Sequence, residues 1–276
     1  MRTVVHLSDL HFGRVHRPVL EPLRQAVIAA RPDVVAISGD LTQRARRGQF
    51  EEARAFLATL PQPQLVVPGN HDVPLFNLVA RFATPLAGFR RHITDDLTPS
   101  FADDEIALLG VNTARSLVHK GGRINRGQVE HASAFFAGQP QAGTRIVVTH
   151  HPFDLPEGVG EHELVGRARM AMKAFAACRV DVLLAGHLHV SHVESTAERY
   201  KIDGHAALVI QAGTATSNRQ RGELNAFNVL RIVPGEITVE THAFDVEAQR
   251  FVPGATHRFR RTPAGWVPAA SGGAAG

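Results

Sequence analysis

The sequence reads as an α/β protein in which two sheets pack face to face and helices cover their outer surfaces. Three observations predict this. Residues 4–68 alternate short apolar runs with amphipathic helical patterns in the order βαβαβ, which calls for parallel strands joined by right-handed crossovers. Five apolar runs stop abruptly at His, Asp or Asn, as strands do when they deliver polar groups to a site at their carboxyl ends. After residue 189 the pattern changes to short strands, so a βα half is followed by a β half.

The first strand is Val4-Val5-His6-Leu7, ended by Ser8-Asp9-Leu10-His11. Pro18 opens a helical pattern with Leu20, Leu23, Val27 and Ile28 on one face, and Arg31-Pro32-Asp33 closes it. The second strand, Val34-Val35-Ala36-Ile37, stops at Ser38-Gly39-Asp40. Phe50, Ala53, Leu57 and Leu60 then recur at helical spacing before Pro61, and the third strand, 64–68, runs into Gly69-Asn70-His71-Asp72. Asp9, His11, Asp40 and Asn70 thus fall at one end of a parallel sheet. Leu75, Leu78, Val79 and Phe82 form a short amphipathic helix expected to pack inward, and a polar linker follows at 95–100. Residues 74–100 are placed to overhang the site as a cap.

A strand at 106–111 and a helix at 128–136 lead to the fourth polar-ended strand, Ile146-Val147-Val148-Thr149, ending His150-His151-Pro152. An acidic loop at 152–166 and a helix at 167–178 precede the fifth, Val182-Leu183-Leu184-Ala185, which ends Gly186-His187-Leu188-His189. Strands follow at 190–195, 207–211, 226–233 and 237–244, the last two joined in a hairpin by Pro234-Gly235. Residues 1–262 are expected to form one domain, and 263–276, ending Ser271-Gly272-Gly273-Ala274-Ala275-Gly276, a flexible tail.

A chain of 276 residues can bury a full core without disulfides. Its one cysteine, Cys178, sits in a helical pattern beside Phe175, as a packed thiol in a reducing compartment would. With no signal-type apolar region near the start and no run of membrane-spanning length, a soluble, cytoplasmic protein is expected. The net charge of +4 rests on arginine, lysine occurring only at 120, 173 and 201. Such an excess suits small phosphorylated ligands, and an arginine-rich genome would produce it equally well. The charges are scattered, which argues against an obligate nucleic-acid partner. Oligomeric state is not legible.

Asp9 and His11 lie two apart at a strand end, so their side chains converge on one side, and His187 and His189 repeat the spacing. With Asp40, Asn70 and His150 they offer carboxylate, amide and imidazole donors suited to borderline divalent cations: Mn, Fe, Co or Zn. Seven donors exceed one ion's needs. They suit two ions roughly 3.5–4 Å apart sharing a carboxylate, the arrangement used for in-line displacement at phosphorus. His71 is able either to ligate or to move protons. Any one of these histidines alone would read as a satisfied interior residue, and Gly-Asn-His-Asp alone as a turn.

Taken in order, Asp9-Leu10-His11, Gly39-Asp40, Gly69-Asn70-His71-Asp72, His150 and Gly186-His187-Leu188-His189 resemble the calcineurin-like metallophosphoesterases, and within them the prokaryotic class III cyclic-nucleotide phosphodiesterase branch. Gly213-Thr214-Ala215-Thr216 continues the likeness. The resemblance implies a four-layer α-β-β-α sandwich of two mixed sheets flanked by helices. It implies that Asp9, His11, Asp40 and His189 hold one metal, with Asp40 bridging to a second held by Asn70, His150 and His187. It casts His71 as the non-ligand histidine that stabilises the transferring phosphoryl group or protonates the departing oxygen, and a metal-bridging hydroxide as the nucleophile. Many relatives carry an aspartate three residues after the bridging one. Here that position is Gln43, which hydrogen-bonds an imidazole but does not stabilise an imidazolium as a carboxylate does.

The expected activity is metal-dependent hydrolysis of a phosphodiester, with a 3′,5′-cyclic nucleotide as the substrate class the branch implies. Alternatives are a phosphomonoesterase, a nucleotide-sugar-lipid pyrophosphatase, a DNA nuclease and a metal-stabilised scaffold without turnover. Candidate substrate contacts are Arg44, His151 and Asn112. His151 either meets substrate or only supports the Pro152 turn, and Asn112 either faces the pocket or makes a turn. Arg46 and Arg47 read as a solvated basic loop, 217–222 either reaches a substrate phosphate or is such a loop, His6 reads as structural, and His16, His92, His119 and His162 as surface-loop residues.

Overall fold

The computed structural model describes residues 1–117, 121–200, 202, 205–218 and 224–269. Its strands are β1 (Arg2–Leu7), β2 (Val34–Ile37), β3 (Gln64–Val66), β4 (Ser100–Ala102), β5 (Ile106–Gly110), β6 (Thr144–Val148), β7 (Val182–Ala185), β8 (His192–Ser195), β9 (Leu208–Gln211), β10 (Ala226–Val233), β11 (Glu236–Asp245), β12 (Arg250–Thr262) and β13 (Gly265–Pro268). The α-helices are α1 (Leu20–Ala29), α2 (Arg47–Leu57), α3 (Leu78–Ala83), α4 (Ala87–His92), α5 (Arg126–Ala137), α6 (Ala168–Ala177) and α7 (Ala197–Tyr200). One sheet has the order β13-β12-β11-β10-β1-β2-β3, the other β4-β5-β6-β7-β9-β8. Both are mixed: β1-β2-β3 and β5-β6-β7-β9 are parallel, and the remaining pairings are antiparallel.

Three separate apolar cores make this a four-layer α-β-β-α sandwich. Strand alternation assigns each side chain to one of them. Val4, Val34, Leu65, Ile146, Leu184 and Leu230 meet between the two sheets. Val5, Val35 and Ile37 face outward onto Leu23, Val27, Phe50 and Leu57 of α1 and α2. Leu109, Val147 and Leu183 face the other way, onto Phe136, Met172 and Phe175 of α5 and α6. Strands buried on both faces need no polar residues, which is why the sequence shows unbroken apolar runs instead of alternation.

The expected tail is corrected in its first part. Residues 265–268 form β13, paired with β12, and Trp266 is buried with its indole N–H donating to Asp181 Oδ1 at 2.9 Å. Arg261 meets the same carboxylate at 2.9 Å, so a ring and a guanidinium tie the end of one sheet to the start of β7. Residues 270–276, His119 and 219–223 lie outside the described residues. The linker at 95–100 ends in the edge strand β4, and His92 closes α4 with its ring stacked on Phe50 instead of lying in a loop. The inward packing expected of the 75–82 segment does not occur: Phe76, Leu78, Val79 and Phe82 are exposed. Cys178 is half-buried at the end of α6, and burial raises its thiol pKa. Among the described residues, no helix is long and apolar enough to cross a membrane.

His6 is fully buried, with Nε2 2.8 Å from Ser38 Oγ. Burial pushes its pKa down to about 3 against the pull of Asp9. The unfolded chain titrates this group near 6.5, so it takes up a proton that the folded state refuses, and stability falls as pH drops below that value. At pH 5 this one residue is expected to remove about 2 kcal/mol of unfolding free energy relative to pH 7.5. Urea melts at both pH values should show that difference shrinking by about the same amount in His6→Asn.

Candidate metal centre

The loops after β1, β2 and β3 in one sheet meet those after β6 and β7 in the other. Asp9, His11, Asp40, His150, His187 and His189 are all buried there, and Asn70 and His71 are partly so, on a single 3-10 turn, Asn70–Asp72. Five of these residues have left-handed backbone: Asp9 (φ 53°), His11 (φ 48°), Asp40 (φ 52°), His187 (φ 76°) and His189 (φ 60°). Such a conformation is uncommon for residues with a Cβ and persists where the surroundings over-determine it. Glycines make room for it. A Cβ at Gly186 would lie 1.7 Å from Ser8 Oγ and 2.5 Å from Asp9 Oδ2, and one at Gly69 would lie 2.1 Å from Asp40 Oδ1.

Two sets of donors emerge. In the first, His11 Nε2 lies 3.1 Å from His189 Nε2, and Asp9 Oδ1 lies 3.4 Å from the former and 3.2 Å from the latter. In the second, Asn70 Oδ1 lies 3.0 Å from His150 Nε2 and 3.1 Å from His187 Nδ1. Asp40 stands between them: Oδ2 is 3.7 Å from His11 Nε2, and Oδ1 is 3.4 Å from His150 Nε2.

The outer hydrogen bonds say which ring nitrogens carry protons. His150 Nδ1 is 2.8 Å from the Ser38 carbonyl, which only accepts, so Nε2 presents a lone pair to Asn70 Oδ1. His187 Nε2 is 2.8 Å from Glu163 Oε2, and that ion-accepting partner likewise leaves Nδ1 as an acceptor. With these tautomers His150 Nε2, Asn70 Oδ1 and His187 Nδ1 face one another as acceptors, an arrangement that a cation among them would satisfy. Metal–ligand bonds of about 2.1 Å place neighbouring ligand atoms about 3 Å apart, the spacing seen here. The donors present fit a pair of divalent ions.

Charge supports the same fit. Burial works to raise the pKa of Asp9, but His189, His11 and His150 hold it well below the usual carboxylate range. Burial also opposes ionisation of Asp40, and His150, His71 and His11 outweigh it. His150 is pushed down by burial, against Asp40 and Asp9, which keeps it a neutral donor. Asp72 accepts from the amides of Leu41, Thr42 and Gly69 and from the Thr42 hydroxyl, clamping the loops after β2 and β3 together.

His71 groups with His11 and Asp40, at a longer spacing than the other donors. Its Nδ1 is 2.9 Å from the Gln43 carbonyl, and Nε2 turns inward, 4.0 Å from Asp40 Oδ2. The Gln43 side chain adds a contact at 3.2 Å. Arg44 is brought beside His71, Gln43 and Leu75 on one pocket, its guanidinium over the Phe76 ring. Asn112 takes the turn-making alternative: its Oδ1 accepts the Ala114 amide at 2.9 Å. His151 is buried with Nδ1 2.7 Å from Thr113 Oγ1, its ring 4.8 Å from those of His150 and His187. Together these three offer a further His-rich grouping. Glu163 was not legible in the sequence, where 152–166 shows only an acidic loop. The one available signal is that a buried metal-type histidine needs an outer carboxylate or carbonyl.

Candidate divalent-metal donor groups on an α-β-β-α frame are those of a metal-dependent phosphoester hydrolase. A family model described as calcineurin-like phosphoesterase matches residues 2–191, and the chain belongs to that family. It is 23% identical over 255 residues to the 3′,5′-cyclic adenosine monophosphate phosphodiesterase CpdA of Escherichia coli (strain K12), covering 87% of this chain and 85% of that one. It is 45% identical over 85 residues to the glycerophosphodiester phosphodiesterase GpdQ of Enterobacter lignolyticus, covering 25% of this chain and 29% of that one. Among solved structures, a dimetal phosphatase from Danio rerio superposes with a TM-score of 0.62 at 13% identity, covering 91% of this chain and 98% of that one. The purple acid phosphatase PPD1 of yellow lupin gives 0.64 at 13% identity, covering 92% and 53%. These likenesses establish the fold.

Proposed function

We propose that the protein is a phosphodiesterase acting on a small phosphorylated substrate, with a 3′,5′-cyclic nucleotide as its first substrate class. In this assignment Asp9, His11, Asp40 and His189 hold one ion, and Asp40, Asn70, His150 and His187 the other. The facing lone pairs of His150 Nε2, Asn70 Oδ1 and His187 Nδ1 carry it. Bound divalent ions lower the pKa of water and neutralise charge on the phosphoryl oxygens. The chain's own groups do the rest. Ser38 and Glu163 fix the imidazole tautomers. His71, held at Nδ1 by the Gln43 carbonyl, presents Nε2 toward the centre, where its imidazolium form would stabilise the phosphoryl group or hand the Nε2 proton to the leaving oxygen and end as the neutral ring. Arg44 binds the remaining phosphate charge.

The similarity to CpdA across most of both chains favours the cyclic-nucleotide class. The shorter match to GpdQ, higher in identity, supports a glycerophosphodiester as the second reading. The test is hydrolysis by the manganese-loaded protein of cyclic AMP, glycerophosphocholine, an aryl phosphodiester and an aryl phosphomonoester, with and without chelator. Chelator-sensitive turnover of the diesters, cyclic AMP fastest, is expected. Preference for the monoester would overturn the diesterase assignment, and preference for glycerophosphocholine would select the second reading.

A further inference from the structure

Nine large apolar side chains are exposed among the described residues, and five of them gather at one place: Phe76 (75% exposed), Leu78 (62%), Val79 (79%), Phe82 (56%) and Leu117 (87%). Leu78, Val79 and Phe82 share one side of α3 by their spacing. Arg81, buried beneath, donates to the Ser116 carbonyl at 2.8 Å and to the Pro74 carbonyl at 3.1 Å, which draws Leu117 to the same helix. Single exposed apolar residues are ordinary. A contiguous cluster on a monomer marks an interaction surface.

On its Phe76 side this cluster borders a basic groove. A groove of about 450 Å³ between the start of α2 and the α3–α4 pair is lined by Arg44, Arg46, Arg47 and Arg91, with Phe76 at its edge and no acidic residue on its lining. Of these, Arg47 is engaged by Glu51 at 2.7 Å. Arg44 also lines the pocket beside His71.

We propose that the α3 face is a docking surface for an anionic lipid bilayer, a property beyond the hydrolytic reading of the site. Charge complementarity selects this occupant. A two-fold contact with a second copy would press the arginine-lined groove against its own image, desolvating like charges. An anionic bilayer accommodates both features: Leu78, Val79 and Phe82 enter the acyl boundary while the guanidiniums meet lipid phosphates. Phe76 just before the helix and Phe82 on it, with arginines nearby, have the composition of an interfacial segment.

The test is flotation of the full manganese-loaded chain with phosphatidylcholine vesicles, with and without phosphatidylglycerol. The wild type is expected to float with the anionic vesicles and to be released by salt. The triple variant Leu78→Ser, Val79→Ser, Phe82→Ser should lose binding by about tenfold or more while hydrolysing a soluble aryl phosphodiester at the wild-type rate. Arg46→Glu, which leaves the apolar face intact, should by itself weaken binding to the anionic vesicles. Failure of the wild type to float, or undiminished flotation of the triple variant, would overturn the proposal. So would a concentration-dependent dimer that the triple variant abolishes in a protein that ignores vesicles, since that would make the occupant a second copy.

Discussion

Asp40→Ala is expected to empty both metal positions at once. The carboxylate reaches toward His11 on one side and His150 on the other, at 3.7 and 3.4 Å, so a single truncation removes an anionic donor from each set. It also unpartners the His71 amide, which donates to Asp40 Oδ1 at 2.8 Å, and so loosens the turn that carries Asn70. Each ion supplies several kcal/mol of charge stabilisation, so turnover should fall by on the order of a thousandfold or more. Metal content per chain after gel filtration, measured by mass spectrometry, should drop from near two to below one. Two tightly held ions in the variant would contradict the bridging role.

His71→Ala should separate chemistry from metal binding. In the proposed assignment the imidazole is not a ligand, so two ions should remain while turnover drops by about 10²–10⁴-fold, the span of a lost general acid. The leaving group sharpens the test. If Nε2 delivers a proton, the loss should be larger for a cyclic nucleotide, whose departing oxygen is a poor alkoxide, than for an aryl diester, whose phenolate leaves without help. An equal loss on both would mean that His71 acts on the phosphoryl oxygens. Unchanged turnover would remove it from the mechanism. At Nδ1 the ring is oriented by the Gln43 carbonyl at 2.9 Å.

The metal-type residues were legible because parallel strands buried on both faces leave an unmistakable boundary. An unbroken apolar run such as Val34-Val35-Ala36-Ile37 stops, and the next residues with polar side chains belong to the site. The spacing of Asp9 to His11 and of His187 to His189 carried the rest. What was not legible depends on distant partners. Glu163 acquires meaning only from His187, and Trp266 is held by Asp181, 85 residues before it. β12 contains Pro253 and Gly254 and is largely exposed, so neither alternation nor composition marks it as a strand. On α3 the helical period was correct and its direction was not. Periodicity identifies an apolar face, but says nothing of whether the protein covers it.

The site also sets a mechanical tolerance. Along most of their shared face the two sheets touch through side chains such as Val4, Leu65, Ile146 and Leu184, contacts without direction that survive small sliding. At the mouth, Asp9, His11, Asp40 and Asn70 hang from one sheet and His150, His187 and His189 from the other, so every sliding motion stretches or compresses distances across the seam. The registry of the whole sandwich is thereby the calibration of the centre. Substitutions deep between the sheets, far from any ion, detune it by shifting one layer against the other.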